Sequence, residues 1–187
     1  MNEKMKIYRL RNIIEMAWQF TGMTRVFEKG AGFRICRLLE KMLGEMGGDA
    51  SGLRHETYCQ WIQKSVKTRT GTEPSYGQAA KVIDIAMKVL VGYCQLPNSL
   101  NRPAITPQLR GAIDTPILEY LKDKYEVAKR IYSLSQIDKK IYIELQSLLA
   151  KEAEAADCLP IEYDDWLWRS LRTKARFLWK AGDIQNS

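Results

Sequence analysis

The stretch that decides the fold is PSYGQAAKVIDIAMKVLVGYCQLPN, residues 74–98. Nearly every residue in its middle is apolar or small, and such a composition favours a helix that is buried on most sides. Ser75 followed three residues later by Gln78 fits a capping box, so the helix is predicted to start at Ser75 and to stop before Pro97. We therefore expect a central apolar helix near residues 75–95.

Three charged residues, Lys81, Asp84 and Lys88, recur along one line of this helix. Asp84 stands three residues after Lys81 and four before Lys88, which is the spacing of ion pairs on one helix face. We expect this line to be the solvent-exposed edge of the helix, where each pair contributes about 0.2–0.5 kcal/mol. The alternative is a buried polar seam that faces the following loop and forms part of a site.

The rest of the chain shows apolar residues at spacings of three and four, and no stretch alternates with a period of two. Thr115 fits a helix N-cap, with Pro116 at the first helical position. The pattern predicts an all-α fold of about six to seven helices in a single bundle-like domain that spans residues 1–187. The predicted helices are 3–20, 31–46, 53–66, 75–95, 115–132, 138–156 and 160–181.

Four of the six prolines lie between residues 96 and 116. Because proline lacks an N–H group and restricts the residue before it, this segment is predicted to be a long loop with at most one helical turn near Gln108. Loops of this length are often functional. An enzyme with a dispersed site under the loop 96–116 is therefore one of three function classes that the sequence leaves open.

The formal net charge of +7 is unevenly distributed. Residues 1–70 carry +6, residues 71–165 carry −3 and residues 166–187 carry +4, so that both ends are basic and the middle is mildly acidic. Such asymmetry attracts a polyanion, and it equally allows the two ends to pack around a middle of opposite sign.

The C-terminal stretch WLWRSLRTKARFLWK, residues 166–180, pairs an apolar, tryptophan-rich helix face with a cationic row beside it. Such rows bind phosphate backbones through counterion release, and arginine adds bidentate hydrogen bonds. We therefore expect a helical binding protein that contacts nucleic acid through its basic N- and C-terminal segments. The alternative is a protein-protein interaction or structural module without catalytic activity. The residues of the cationic row are Arg169, Arg172, Arg176 and Lys180.

The sequence contains no compact catalytic or cofactor motif, which favours a protein that is not an enzyme. His55 is the only histidine and lies four residues before Cys59, with no base-orienting partner visible in the sequence, so we interpret it as structural. There is no GxxxxGK[ST] phosphate loop. No cofactor is expected.

No metal site is expected either. The four cysteines lie more than 20 residues apart and form no CxxC pair, which predicts neither a disulfide nor a zinc site. Glu162, Asp164 and Asp165 fit the first turn of a helix, where the helix dipole favours acidic residues. A dispersed carboxylate metal site that joins them to Asp84 or Asp114 is the alternative.

The cysteine pattern also predicts a reduced, cytoplasmic protein. The first 18 residues place charges in every turn, so they resemble neither a signal peptide nor a membrane span. We therefore expect nucleic acid or another protein as the partner, and no membrane.

Overall fold

The structure is a computed structural model, and it describes residues 3–48, 54–97 and 100–173. These residues form nine α-helices and no β-strand, which confirms the all-α prediction. Among them, no helix is both long enough and apolar enough to cross a lipid bilayer. The helices are α1 Glu3–Phe20, α2 Ala31–Gly48, α3 His55–Ser65, α4 Tyr76–Met87, α5 Arg102–Ile105, α6 Thr115–Lys124, α7 Glu126–Lys129, α8 Lys139–Ala155 and α9 Pro160–Thr173.

Helix α4 lies at the centre of the fold, as predicted. Its capping box is present: the Ser75 hydroxyl accepts a hydrogen bond from the Gln78 N–H at 3.1 Å, and the Gln78 side chain accepts one from the Ser75 N–H at 2.9 Å. The helix packs against α1, α3 and α8, and its alanines are fully buried. It continues as a π-helix over Lys88–Tyr93.

Close packing at the start of α4 depends on a glycine. A Cβ atom on Gly77 would lie 2.5 Å from the Cβ of Ile137, and the Gly77 N–H donates to the Ile137 carbonyl at 2.9 Å. Any larger residue would push away the segment that leads into α8. The buried apolar side chains of the described helices form one connected core around this contact.

The predicted helix over residues 115–132 is two helices in the structure. Tyr125 has an extended backbone and separates α6 from α7, and its hydroxyl donates to Glu152 on α8 at 2.5 Å. The N-cap of α6 is Asp114 rather than Thr115, because the Asp114 carboxylate accepts from the Ile117 N–H at 3.2 Å. The contact of Tyr125 with Glu152 thus interrupts the predicted helix, and the Asp114 cap moves the N-cap one residue before Thr115.

The proline-rich loop has more structure than expected. It contains α5 and a following 3₁₀ turn over Thr106–Gln108, which confirms a helical turn near Gln108 but extends it. The loop then continues into residues 109–114, which we call the strap. The backbone of this segment is hydrogen-bonded to α8 and α9.

Three consecutive residues fix the strap in place. The Gly111 carbonyl accepts from the Gln146 side chain at 2.7 Å, and the Ala112 N–H donates to the Asp164 carboxylate at 2.9 Å. A Cβ atom on Gly111 would lie 2.4 Å from a methyl carbon of Leu149 and 2.8 Å from the backbone carbonyl oxygen of Pro160, so a larger residue would displace the backbone at the start of α9. The side chain of Arg110 then points toward α3 and α8.

Candidate functional site

The polar line of α4 is covered by other elements, so the prediction of a solvent-exposed edge is wrong for Asp84. The residue is 2% exposed. Its carboxylate lies 2.8 Å from His55 Nε2 and accepts a hydrogen bond from the Tyr142 hydroxyl at 2.8 Å. These partners lie on α3 and α8, whereas the expected pairing ran along α4 to Lys81 and Lys88.

The other two residues of the line also face inward. The Lys88 ammonium donates to Asp164 at 2.7 Å and lies 3.8 Å from Asp165. Burial raises the pKa of Asp164 to about 6, although Lys88 and the Ala112 N–H both favour its ionised form. Burial lowers the pKa of Lys81, and the nearby Asp114 acts in the opposite direction. Asp84 is thus buried against α3 and α8, whereas Lys81 and Lys88 are half-buried, Lys81 near Asp114 of the strap and Lys88 against α9; we call these three residues the seam.

Around Asp84, the seam extends into a cluster of buried polar and aromatic side chains. Arg110 Nη1 lies 3.4 Å from His55 Nδ1, and Cys59 Sγ lies 3.6 Å from the same nitrogen. Because a guanidinium can only donate, Nδ1 is the acceptor and Nε2–H donates to Asp84. The His55 and Tyr142 rings stack with centroids 5.5 Å apart.

The order of thiol, imidazole and carboxylate in Cys59, His55 and Asp84 resembles the connectivity of a nucleophilic triad. However, Cys59 is 0% exposed and burial raises the pKa of its thiol far above the usual range. The thiolate is the nucleophilic form of cysteine, and this environment opposes it. We therefore assign the cluster to holding α3, α4, α8 and the strap together, in agreement with the structural interpretation of His55.

An open cavity of about 530 Å³ lies between α1, residues 94–96 and Arg102, and we call it the basic groove. The cationic side chains of Lys6, Arg9 and Arg102 line it, and no carboxylate is among its described lining residues. Arg102 is held in place because its guanidinium donates to the Gln95 carbonyl at 2.9 Å. The remaining lining residues are Leu10, Ile13, Cys94, Gln95 and Leu96.

The wide turn at the end of α4 creates one wall of this groove. The π-helix ends at Tyr93, and Gln95 then adopts a left-handed backbone conformation with a φ of 56°. The Leu96 N–H donates back to the Leu90 carbonyl at 2.8 Å. This reversal places Cys94, Gln95 and Leu96 against α1, and no local sequence pattern had indicated it.

Only part of the predicted C-terminal cationic row can be placed. Arg169 lies on α9 and is exposed. The side chain of Arg172, and all of Arg176 and Lys180, lie outside the described residues. Arg169 is near enough to Tyr93 to act electrostatically on its hydroxyl: burial and Asp165 raise the pKa of Tyr93, and Arg169 opposes this.

Among the described residues, no group of three or more His, Cys, Asp or Glu side chains is arranged to hold a metal ion. Comparisons of the chain with protein-family models, with curated proteins and with solved structures found no match.

Proposed function

We propose that the protein binds nucleic acid through the basic groove. The observation that carries this proposal is the convergence of Lys6, Arg9 and Arg102 around a concave surface whose described lining contains no carboxylate. Lysine and arginine neutralise phosphates and release the counterions condensed on them. The apolar side chains of Leu10 and Ile13 between these cations suit bases or sugars better than water.

The position of Arg169 supports a contribution from the second basic end of the chain. Arg169 acts on Tyr93, which directly precedes the groove residue Cys94. Cations from both terminal segments therefore approach the same end of the π-helix. We extend the proposal along the sequence to Arg172, Arg176 and Lys180, and we place the protein in the reducing cytoplasm, since all four cysteines are free thiols.

The first test compares the native protein with a groove variant, Lys6→Glu with Arg9→Glu. Fluorescence anisotropy with a labelled 20-nucleotide strand measures both at low ionic strength and over a salt series. Because each lost phosphate contact lowers the salt slope by about 0.7–0.9, we expect at least tenfold weaker binding and a shallower slope. The matched control, Lys64→Glu with Arg130→Glu, changes two exposed cations outside the groove and should bind more tightly than the groove variant.

Two results would count against the proposal. Native protein that binds no nucleic acid at low ionic strength would remove it and favour a protein partner. Equal losses in the groove variant and in the control would assign the binding to overall charge and not to the groove.

A second candidate function, binding of a protein partner, is favoured by a different surface of α1. Its outer face exposes four large apolar side chains, of which the most exposed is Phe20 at 66%. The cation of Arg9 lies among these side chains, so a complementary partner would be an acidic amphipathic helix. Tyr8→Ser with Met16→Ser should abolish binding of an acidic amphipathic peptide and leave nucleic-acid affinity unchanged. The four side chains are Met5, Tyr8, Met16 and Phe20.

A further inference from the structure

We infer that the basic groove takes a single-stranded nucleic acid, with one base stacked on Tyr93. This inference rests on the proposed function and names the substrate class of the same surface. It follows from the shape of the groove, from its apolar floor and from the setting of Tyr93.

The shape of the groove excludes the usual way of reading a duplex. Proteins that read duplex DNA insert a projecting helix or a β-ribbon into the major groove. The basic groove is concave, and its cavity of about 530 Å³ falls in the range of about 300–1,000 Å³ that holds drug-sized molecules. A nucleotide of a single strand belongs to that size class, whereas a duplex does not.

The apolar floor of the groove favours a ligand that brings unstacked bases as well as phosphates. Leu10, Ile13 and Leu96 lie between the cations and are partly buried against the core. Phosphates gain nothing from such apolar surface, but an unstacked base does. Single-strand binding surfaces combine these two parts, a cationic track for the backbone and apolar or aromatic platforms for the bases.

Tyr93 has the exposure and the aromatic ring that a stacking platform requires. It is 58% exposed, and its hydroxyl donates to the carboxylate of Asp165 on α9, which holds the ring at one end. The negative charge of Asp165 is partly balanced by Lys88 at 3.8 Å. Tyr93 directly precedes the groove residue Cys94 in the chain, and the cation of Arg169 is near enough to act on its hydroxyl.

The test compares three ligands with the native protein at low salt: a 12-nucleotide oligothymidylate, a 12-base-pair duplex and heparin, a polyanion without bases. We expect the single strand to bind more tightly than the duplex. Tyr93→Ala should weaken single-strand binding by roughly 5- to 150-fold, the usual effect of removing one base-aromatic stack, and should change heparin binding by less than about twofold.

Two further variants separate stacking from a structural role of Tyr93. Tyr93→Phe keeps the ring and removes only the hydrogen bond to Asp165, so it should retain single-strand affinity. Tyr132→Ala removes another exposed tyrosine, 79% exposed and outside the groove lining, and should also retain it.

The possible failures are distinguishable. Equal affinity for single strand and duplex in the native protein would overturn the inference and leave the groove as a general nucleic-acid site. Equal losses in Tyr93→Ala and Tyr93→Phe would also overturn stacking, because the hydroxyl would then be the part that matters. Absence of binding to both the single strand and the duplex would overturn the proposed function itself, whether or not heparin binds. The comparison of single strand with duplex needs only the native protein, so it stands even if Tyr93→Ala fails to fold.

Discussion

At the residue scale, Asp84 is the most informative position in the chain. Its carboxylate is the shared acceptor for groups on two other helices, His55 on α3 and Tyr142 on α8. Arg110 reaches the same cluster from the strap and lies with its Cζ 5.5 Å from the centre of the Tyr142 ring. A single buried negative charge therefore ties together four segments that are far apart in sequence.

We predict that Asp84→Ala lowers the free energy of unfolding by about 3–5 kcal/mol, because it leaves the buried imidazole N–H and the phenol without their acceptor and removes a negative charge that favours the Arg110 guanidinium. Urea denaturation at neutral pH measures this loss. The matched control is Asp123→Ala on α6, an exposed aspartate whose removal should cost less than about 0.5 kcal/mol. A loss below about 1 kcal/mol for Asp84→Ala would contradict the buried network and restore the exposed-edge interpretation.

At the element scale, the hydrogen bonds of one carboxylate hold α6, α8 and α9 together. Glu152 on α8 accepts from the hydroxyls of Tyr120 at 2.6 Å, Tyr125 at 2.5 Å and Tyr163 at 3.1 Å, and from the ammonium of Lys124 at 2.5 Å. Burial opposes ionisation of Glu152, but these hydrogen bonds outweigh it and lower the pKa to about 2. Tyr125, whose hydroxyl makes one of these hydrogen bonds, is the residue at which the chain breaks between α6 and α7.

We predict that Glu152→Gln lowers the free energy of unfolding by about 2 kcal/mol at pH 7, the usual contribution of hydrogen bonds to a charged group. The folded-state pKa lies below the ordinary value of 4.5, so the stabilisation is complete above pH 4.5 and is lost as the pH falls toward 2. Urea denaturation between pH 2 and pH 7 should show the native protein and the variant converging at low pH. A difference that stays constant over this range would contradict the assignment.

The sequence could predict most helices but not the contacts between them. Apolar spacing and the Ser75–Gln78 capping box are local signals, and they place the start of α4 correctly. The contact of His55 with Asp84 spans 29 residues and that of Tyr142 with Asp84 spans 58, so no periodicity encodes them. The basic groove depends on the π-helix and on the left-handed Gln95, neither of which leaves a local pattern.

At the scale of the whole molecule, the sequence shows basic ends and a mildly acidic middle, and the structure shows where these charges lie on the surface. The turn between α8 and α9 exposes the acidic side chains of Glu154, Asp157 and Glu162. The cations of Lys6, Arg9 and Arg102 instead converge around the basic groove. Because like charges repel and opposite charges steer association, we expect a polyanion to approach the groove and not the acidic turn.

Photo-crosslinking can show directly whether nucleic acid lies in this groove. A single strand that contains 4-thiothymidine is irradiated with the native protein at low salt, and the crosslinked peptides are identified by mass spectrometry. We expect crosslinks in residues 5–13 and 93–102, and their loss when Lys6→Glu and Arg9→Glu are combined. Crosslinks confined to other segments, such as residues 54–73 or 115–140, would contradict it.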